Sequence, residues 1–262
     1  MKVGIVGYGN MGRAFAKALS SKLGADRVLI YEVSEDRKEK AVEEGFGVAK
    51  SLYFLLQDSD ILLLAVKPKD LRGVLEDIKE HIGDKLVVSI VAGVEISFYE
   101  ALLGENAKVV RLMPNINVQV GQGATAITSN RMVSEEELSL LEDMLENSGN
   151  LYRISEALFD SFTALAGSGP AFVFEFIDAL ALAGVREGFD YETALSIALD
   201  TLMGSARLLK DLGGNPNEWI TRVASPGGTT IEGITFLERK GFRGTVIRCV
   251  EKTSEKARKL KG

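Results

Sequence analysis

Gly7-Tyr8-Gly9-Asn10-Met11-Gly12 follows the apolar run Lys2–Val6 directly and opens a helical pattern over Asn10–Leu23. A second apolar run, Val28–Tyr31, comes next, so strand, glycine turn, helix and strand stand in the order of a dinucleotide-binding unit. In that reading Gly7 permits the tight turn, Gly9 lets a pyrophosphate approach the backbone, and Gly12 lets the helix lie close to the sheet. Tyr8, Asn10 and Met11 complete the loop, and the helix start offers N–H groups and a positive dipole end to the phosphates. Glu32 ends the second strand 20 residues after Gly12, where a carboxylate would hydrogen-bond the ribose hydroxyls of NAD and repel the 2′-phosphate of NADP. Ser34, Arg37 and Lys38 follow and offer that phosphate a seat instead. The balance leans towards NADH, with NADPH open.

Outward from this loop, Ile61–Val66, Leu86–Val91 and Val109–Met113 are also apolar nearly throughout. Strands apolar on both faces belong in a buried parallel sheet covered by helices, here expected at Glu35–Glu44, Lys69–Glu80 and Ser97–Leu102. A strand at Gly123–Thr128, a helix at Ser134–Ser148 started by a Ser134/Glu137 capping box, and a strand at Asn150–Ile154 close this half. Beyond Ile154 the pattern predicts helices alone: Leu158–Ala166, Ala171–Glu187, Tyr191–Leu212, Gly228–Arg239 and Phe242–Lys261. Ala171–Glu187 is apolar almost all round, as a helix buried against several others would be. The architecture is an α/β Rossmann-type domain over 1–154 followed by an all-helical domain over 155–262.

Composition limits the partners. Apolar residues form 46% of the 262, charged residues 26%, and the net charge is −6, so the chain is an ordinary globular one with no basic block for nucleic acid or an anionic membrane. The longest apolar run, Ala171 to Gly184, is broken by Glu175 and Asp178 and predicts no membrane span. A strand at the very N-terminus predicts no signal or transit peptide. One cysteine, Cys249, excludes an internal disulfide and suggests a reducing cytoplasm, and one histidine, His81, leaves no basis for a metal centre.

Ser225-Pro226-Gly227-Gly228 reads as a helix start, with serine as N-cap and proline at the first helical position. Two glycines there cost ~1 kcal/mol each in helix propensity, which a structural cap alone does not require. They leave N–H groups bare for a small anion such as a carboxylate. Gly167-Ser168-Gly169-Pro170 is a turn before the apolar helix, and its glycines suit either close packing or a ligand.

Five ordered segments carry a family resemblance: the glycine loop, Ala65-Val66-Lys67-Pro68, Ala92-Gly93-Val94, Leu165-Ala166-Gly167-Ser168-Gly169-Pro170-Ala171 and Ala224-Ser225-Pro226-Gly227-Gly228-Thr229-Thr230-Ile231. Together they run the length of the chain, and the sequence resembles the pyrroline-5-carboxylate reductases. The resemblance implies NAD(P)H-dependent reduction of 1-pyrroline-5-carboxylate to L-proline. It places Ala65, Val66, Lys67, Pro68, Ala92 and Gly93 beside the nicotinamide and its ribose, and makes Ser225, Gly227, Gly228, Thr229 and Thr230 the substrate loop. Thr230 would stand beside the imine nitrogen, and Glu156 lies where the family has a residue near the substrate. It also implies a homodimer through the helical domain, with rings of dimers such as a decamer as larger assemblies. Two positions depart from the family pattern, Ile116-Asn117 after Met113-Pro114-Asn115, and Leu52 in place of an asparagine.

The residues a hydroxy-acid dehydrogenase would need are missing. Such enzymes require a general base near the nicotinamide, commonly a lysine on the helix after a similar Gly-Ser-Gly turn, yet no lysine occurs from Val109 to Leu209. A cyclic imine can arrive protonated and accept hydride directly, with Thr230, Thr229 or Ser168 orienting it or relaying a proton. Thr230 and Ser168 are therefore the candidate catalytic residues. A β-hydroxyacid or other imine reductase on the same scaffold, and a non-catalytic NAD(P) sensor, are the competing readings. The first lacks its lysine, and the second would not need the Gly227–Thr230 anion seat.

Overall fold

The computed structural model describes residues 1–259, so the end of the expected last helix, at 260 and 261, lies outside them. Eight strands form one sheet: β1 (Val3–Val6), β2 (Val28–Tyr31), β3 (Gly47–Val48), β4 (Ile61–Leu64), β5 (Leu86–Ser89), β6 (Lys108–Pro114), β7 (Gly123–Ser129) and β8 (Gly149–Arg153). The helices are α1 (Asn10–Leu23), α2 (Glu35–Glu43), α3 (Leu52–Gln57), α4 (Pro68–Ile78), α5 (Ile96–Leu103), α6 (Glu135–Met144), α7 (Phe159–Phe162), α8 (Gly169–Arg186), α9 (Tyr191–Leu212), α10 (Pro216–Val223), α11 (Thr229–Arg239) and α12 (Phe242–Lys259). Among the described residues no strand follows Arg153. Strand β3 and helices α3 and α10 are additions to the sequence reading.

The strand order is β3-β2-β1-β4-β5-β6-β7-β8. Pairing is parallel from β3 through β6, with Val6 opposite both Tyr31 and Leu64. The five strands expected to be parallel are so, and the strand that follows them, β7, runs antiparallel to β6, Met113 facing Ala126. The chain runs from β1 to β2 and β3 on one side and then crosses back to β4 on the other side of β1, and such a switch point opens a crevice at the carboxyl ends of the strands.

Alternation within β4 shows why these strands are apolar throughout. Ile61 and Leu63 pack with Ile5, Phe15 and Leu19 on the α1 face, which also holds Leu138 and Leu141 of α6. Leu62 and Leu64 pack with Leu71, Leu75 and Ile78 of α4 and Tyr99 of α5 on the other. Each fully buried leucine or isoleucine stabilises the fold by roughly 1.5–3 kcal/mol.

The described chain forms two compact units, residues 1–168 with 254–259, and residues 169–253. In the second unit α8 lies against α9, where a methyl group on Gly184 would stand 2.8 Å from Ala194 Cβ. The expected burial of the apolar helix is not met within one chain, because only Pro170 and Ala181 of α8 are buried. Phe174 is 60% exposed. The sequence exclusion of a membrane-length segment is also corrected: the helical run Glu156–Arg186 has 31 residues and is apolar and long enough to cross one.

Candidate functional site

The glycine loop is built as its spacing requires. Gly7 has φ +99°, and a Cβ there would sit 2.8 Å from the Ala65 carbonyl oxygen. On Gly12 a Cβ would lie 2.1 Å from the Gly7 carbonyl oxygen, so only glycine lets α1 start this close to the loop. Gly9 has open space where a Cβ would stand and caps α1 with no side-chain acceptor. The first N–H groups of α1 therefore face a ligand position and not a cap of their own.

A groove of about 890 Å³ runs along these carboxyl ends. It brings together Gly7, Tyr8, Gly9, Asn10, Met11, Glu32, Ala65, Val66, Lys67, Pro68 and Ala92 from the sequence candidates. Pro68 is the first residue of α4 and Lys67 caps it without a side-chain bond, so a second helix start opens on the same groove. Gly12, Ser34 and Gly93 are not among its lining: Gly12 packs under the loop, Ser34 caps α2, and Gly93 turns with φ +77°. Arg13, Arg37, Lys40 and Lys69 add four cations that the sequence reading did not assign together. Lys38 instead pairs with Glu35 at 2.7 Å. Leu52 starts α3 and packs on the core. Two exposed helix starts, an unfilled glycine cradle and a cationic rim fit a dinucleotide.

Glu32 is 5% exposed and tied to the backbone around it. Its Oε2 accepts the Tyr8 N–H at 2.7 Å, and Oε1 accepts those of Val33 and Ser34 at 2.8 and 3.0 Å. Burial works against its charge, but the three N–H bonds and Arg37 nearby outweigh burial and hold the carboxyl below its ordinary value. The carboxylate thus fixes the glycine loop to the end of β2. Tyr8 makes a second tie through its hydroxyl, which donates to Glu44 at 2.5 Å while Arg13 also pairs with Glu44. Hydrogen bonding from Arg13 holds the Glu44 carboxyl down to about 2.

Glu156 and Ser168 lie in the first unit but outside the groove lining. Glu156 Oε1 accepts from Arg111 Nη1 at 2.7 Å and from the Ile96 N–H at 2.9 Å, at the first residue of α5. Arg111 is 3% exposed, and its guanidinium lies 4.5 Å from the Phe159 ring centre. Next to it the Tyr99 hydroxyl bonds Ser89 Oγ at 2.5 Å, and Ser89 accepts the Val91 N–H just before Ala92. Burial pushes Tyr99 up to about 12. Arg111 was missed in the sequence, although one arginine inside an apolar strand was a signal.

Ser225–Thr230 belongs to the second unit. The expected Ser225 cap with Pro226 at the first helical position is corrected. Residues 225–228 form a turn in which Gly228 N–H donates to the Ser225 carbonyl at 3.1 Å, and α11 begins at Thr229 with Gly228 as its cap. Gly227 adopts φ +68°, which favours glycine, and a Cβ on Gly228 would stand 2.3 Å from Ser225 Oγ. Serine and proline therefore build the turn and not the cap. The feature that matters survives: Gly228 offers no side-chain acceptor, so the N–H groups at the start of α11 remain for an anion. Thr230 is the second residue of that helix and half-buried.

A family model described as pyrroline-5-carboxylate reductase dimerisation matches residues 156–260, and one described as NADP oxidoreductase, coenzyme F420-dependent, matches 2–93. The chain is 57% identical over 260 residues to a pyrroline-5-carboxylate reductase of Aquifex aeolicus, covering 99% of this chain and 97% of that one. It is similar to the crystal structure of 1-pyrroline-5-carboxylate reductase from Streptococcus pyogenes, with TM-score 0.88, 37% identity and 98% of each chain covered. It is similar also to Plasmodium falciparum pyrroline carboxylate reductase with NADP bound, with TM-score 0.88, 30% identity and coverage of 100% and 98%.

Proposed function

The chain belongs to the pyrroline-5-carboxylate reductase family, and from that premise we propose how its own residues carry the reaction. The reaction is reduction of 1-pyrroline-5-carboxylate to L-proline by NAD(P)H. The observation that carries this reading is 57% identity along the whole chain, joined to a groove with two uncapped helix starts. The experiment that tests it measures NADH and NADPH oxidation on addition of pyrroline-5-carboxylate, with L-proline identified as product.

Residues 1–154 hold the cofactor in this proposal, and 155–262 seat the substrate and the partner subunit. The loop Gly7–Gly12 receives the pyrophosphate, and Ala65, Val66, Lys67, Pro68, Ala92 and Gly93 border the nicotinamide half. The substrate carboxylate sits on the N–H groups at Gly227–Thr229, at the positive end of α11. Thr230 offers its hydroxyl to the ring nitrogen, and Ser168 is the second candidate hydroxyl for the reaction. Bound NAD(P)H supplies the hydride. The iminium carbon of the substrate accepts it, the C=N pair collapses onto nitrogen, and the resulting amine takes its proton from water. No base is required, so the lack of a lysine between Val109 and Leu209 is no obstacle to the reaction.

Glu32 decides between the two cofactors. The wild type is expected to use NADH at least as well as NADPH. Glu32→Ala frees the Val33 and Ser34 N–H groups beside Arg37, a ready set for the 2′-phosphate. The NADPH-to-NADH ratio of kcat/KM should rise about tenfold, a difference of about 1.4 kcal/mol. A wild type that strongly prefers NADPH, with an unchanged ratio in Glu32→Ala, contradicts this role.

The helical half oligomerises, since the dimerisation model covers it. We take the assembly to be a homodimer, with rings of dimers built on it, and Phe174, Leu182, Phe236 and Ile247 to be covered by the partner. The same covering would make the membrane-length run a helix of the interface. The protein then acts in the cytoplasm on a small molecule, apart from membranes and nucleic acid. Sedimentation should show a dimer whose interface buries on the order of 2,000 Å² or more. A stable, active monomer at micromolar concentration would overturn the assembly.

A further inference from the structure

Ala166 sits in a π-helical turn, Thr163–Gly167, in which the Ser168 N–H donates to the Thr163 carbonyl at 2.8 Å. Such turns cost helix regularity and mark places where the chain is held for a reason. In α-helical register the Ala166 carbonyl would accept from the N–H of residue 170, and Pro170 has none. Asn115 supplies the missing donor: its Nδ2 reaches the Ala166 carbonyl at 3.1 Å. Its Oδ1 accepts the Ala124 N–H at 3.1 Å, and its own backbone N–H donates to the Ala124 carbonyl at 3.1 Å. A donor need on one side and an acceptor need on the other fix the amide's orientation. Asn115 is 7% exposed, so the bond is shielded from competing water. Met113, two residues earlier on β6, closes the other side, its Cε 3.2 Å from where a Gly167 Cβ would be.

We propose that Asn115 is a positioning residue: it replaces the hydrogen bond that Pro170 removes and thereby locks the Gly167–Ser168 turn at the carboxyl end of β6. The inference rests on the proposed role of Ser168 towards substrate and extends it to the residue that sets where that hydroxyl points. Asn115 is not among the residues lining the groove and acts through the turn alone.

The test is a double-mutant cycle between Asn115 and Pro170. Asn115→Ala should raise KM for pyrroline-5-carboxylate about tenfold, the effect of one lost hydrogen bond, with NAD(P)H affinity unchanged. Asn115→Asp, which keeps the acceptor for Ala124 and loses the donor, should do the same where the alanine variant folds poorly. Adding Pro170→Ala gives residue 170 an N–H for Ala166, and the double variant should recover to within about threefold of Pro170→Ala alone. Hydrogen exchange at the Ser168 amide reads the turn without reference to catalysis. It should quicken about tenfold in Asn115→Ala and slow again in the double variant. Unchanged exchange, or a loss that Pro170→Ala does not recover, overturns the inference. Ser168→Ala separates the two readings: wild-type kinetics there, with the exchange effect present, removes the role of Ser168 and leaves Asn115 as the clamp of the turn.

Discussion

Thr230→Ala should lower kcat/KM for pyrroline-5-carboxylate by one to two decades and leave NAD(P)H binding nearly intact. The start of α11 brings two hydroxyls, Thr229 and Thr230, and Thr230 is the one assigned to the ring nitrogen, the helix N–H groups being given to the carboxylate. Losing a hydrogen bond to a charged group costs ~1.5–3 kcal/mol, which is the decade or two expected. Thr230→Ser, which keeps the hydroxyl, should recover most of the loss. Gly228→Ala is the weaker probe of the same seat, since its methyl group would press on Ser225 Oγ before it reached a ligand. Wild-type kinetics in Thr230→Ala would leave this loop a structural turn.

Glu156→Ala should produce the largest loss of stability. Arg111 would keep its charge inside the sheet with its carboxylate partner gone, and the Ile96 N–H at the start of α5 would lose its acceptor as well. Breaking a buried pair costs ~3–5 kcal/mol. The Glu156 side chain is 30% exposed, so water offsets part of that and about 3 kcal/mol is expected. Denaturant unfolding should show it as a lower midpoint with an unchanged slope. Arg111→Met in the same chain should restore most of the loss, because the stranded charge goes with it. A raised substrate KM at unchanged stability would instead make Glu156 a direct substrate contact.

What the sequence disclosed and what it hid follow from the range of the interactions. The loop at Gly7–Gly12 and the strands around it were legible because turn chemistry and apolar runs are local. Helix α9 was legible to its ends, Tyr191 and Leu212, since Asp190 caps one and Gly213 stops the other. Helix α3 was hidden by its six residues, although Ser51 announces it by accepting the Phe54 N–H. Helix α10 carries the Asn215 cap and Pro216 start that mark a helix, but its eight residues are too few for a helical period to stand out. The antiparallel turn of β7 depends on where its neighbours sit, which no local pattern records. In the site, glycines and helix starts could be read, whereas the acceptor of each side chain could not. Glu32 holds three backbone N–H groups and Glu156 holds Arg111, ties that the sequence around neither residue announces. Apolar character all round α8 was legible, but burial was not its consequence within the chain, where only Pro170 and Ala181 of the helix are buried.

Transfer of an isotope label tests the central claim most directly. NADPH or NADH carrying two deuterium atoms on the reduced nicotinamide carbon is incubated with the purified protein and pyrroline-5-carboxylate, and the product is analysed by mass spectrometry. Direct hydride transfer to the imine carbon predicts L-proline bearing a single deuterium at the ring carbon next to nitrogen, formed in step with cofactor oxidation. Unlabelled proline, or no substrate-dependent oxidation while a β-hydroxy acid is turned over, would contradict the account.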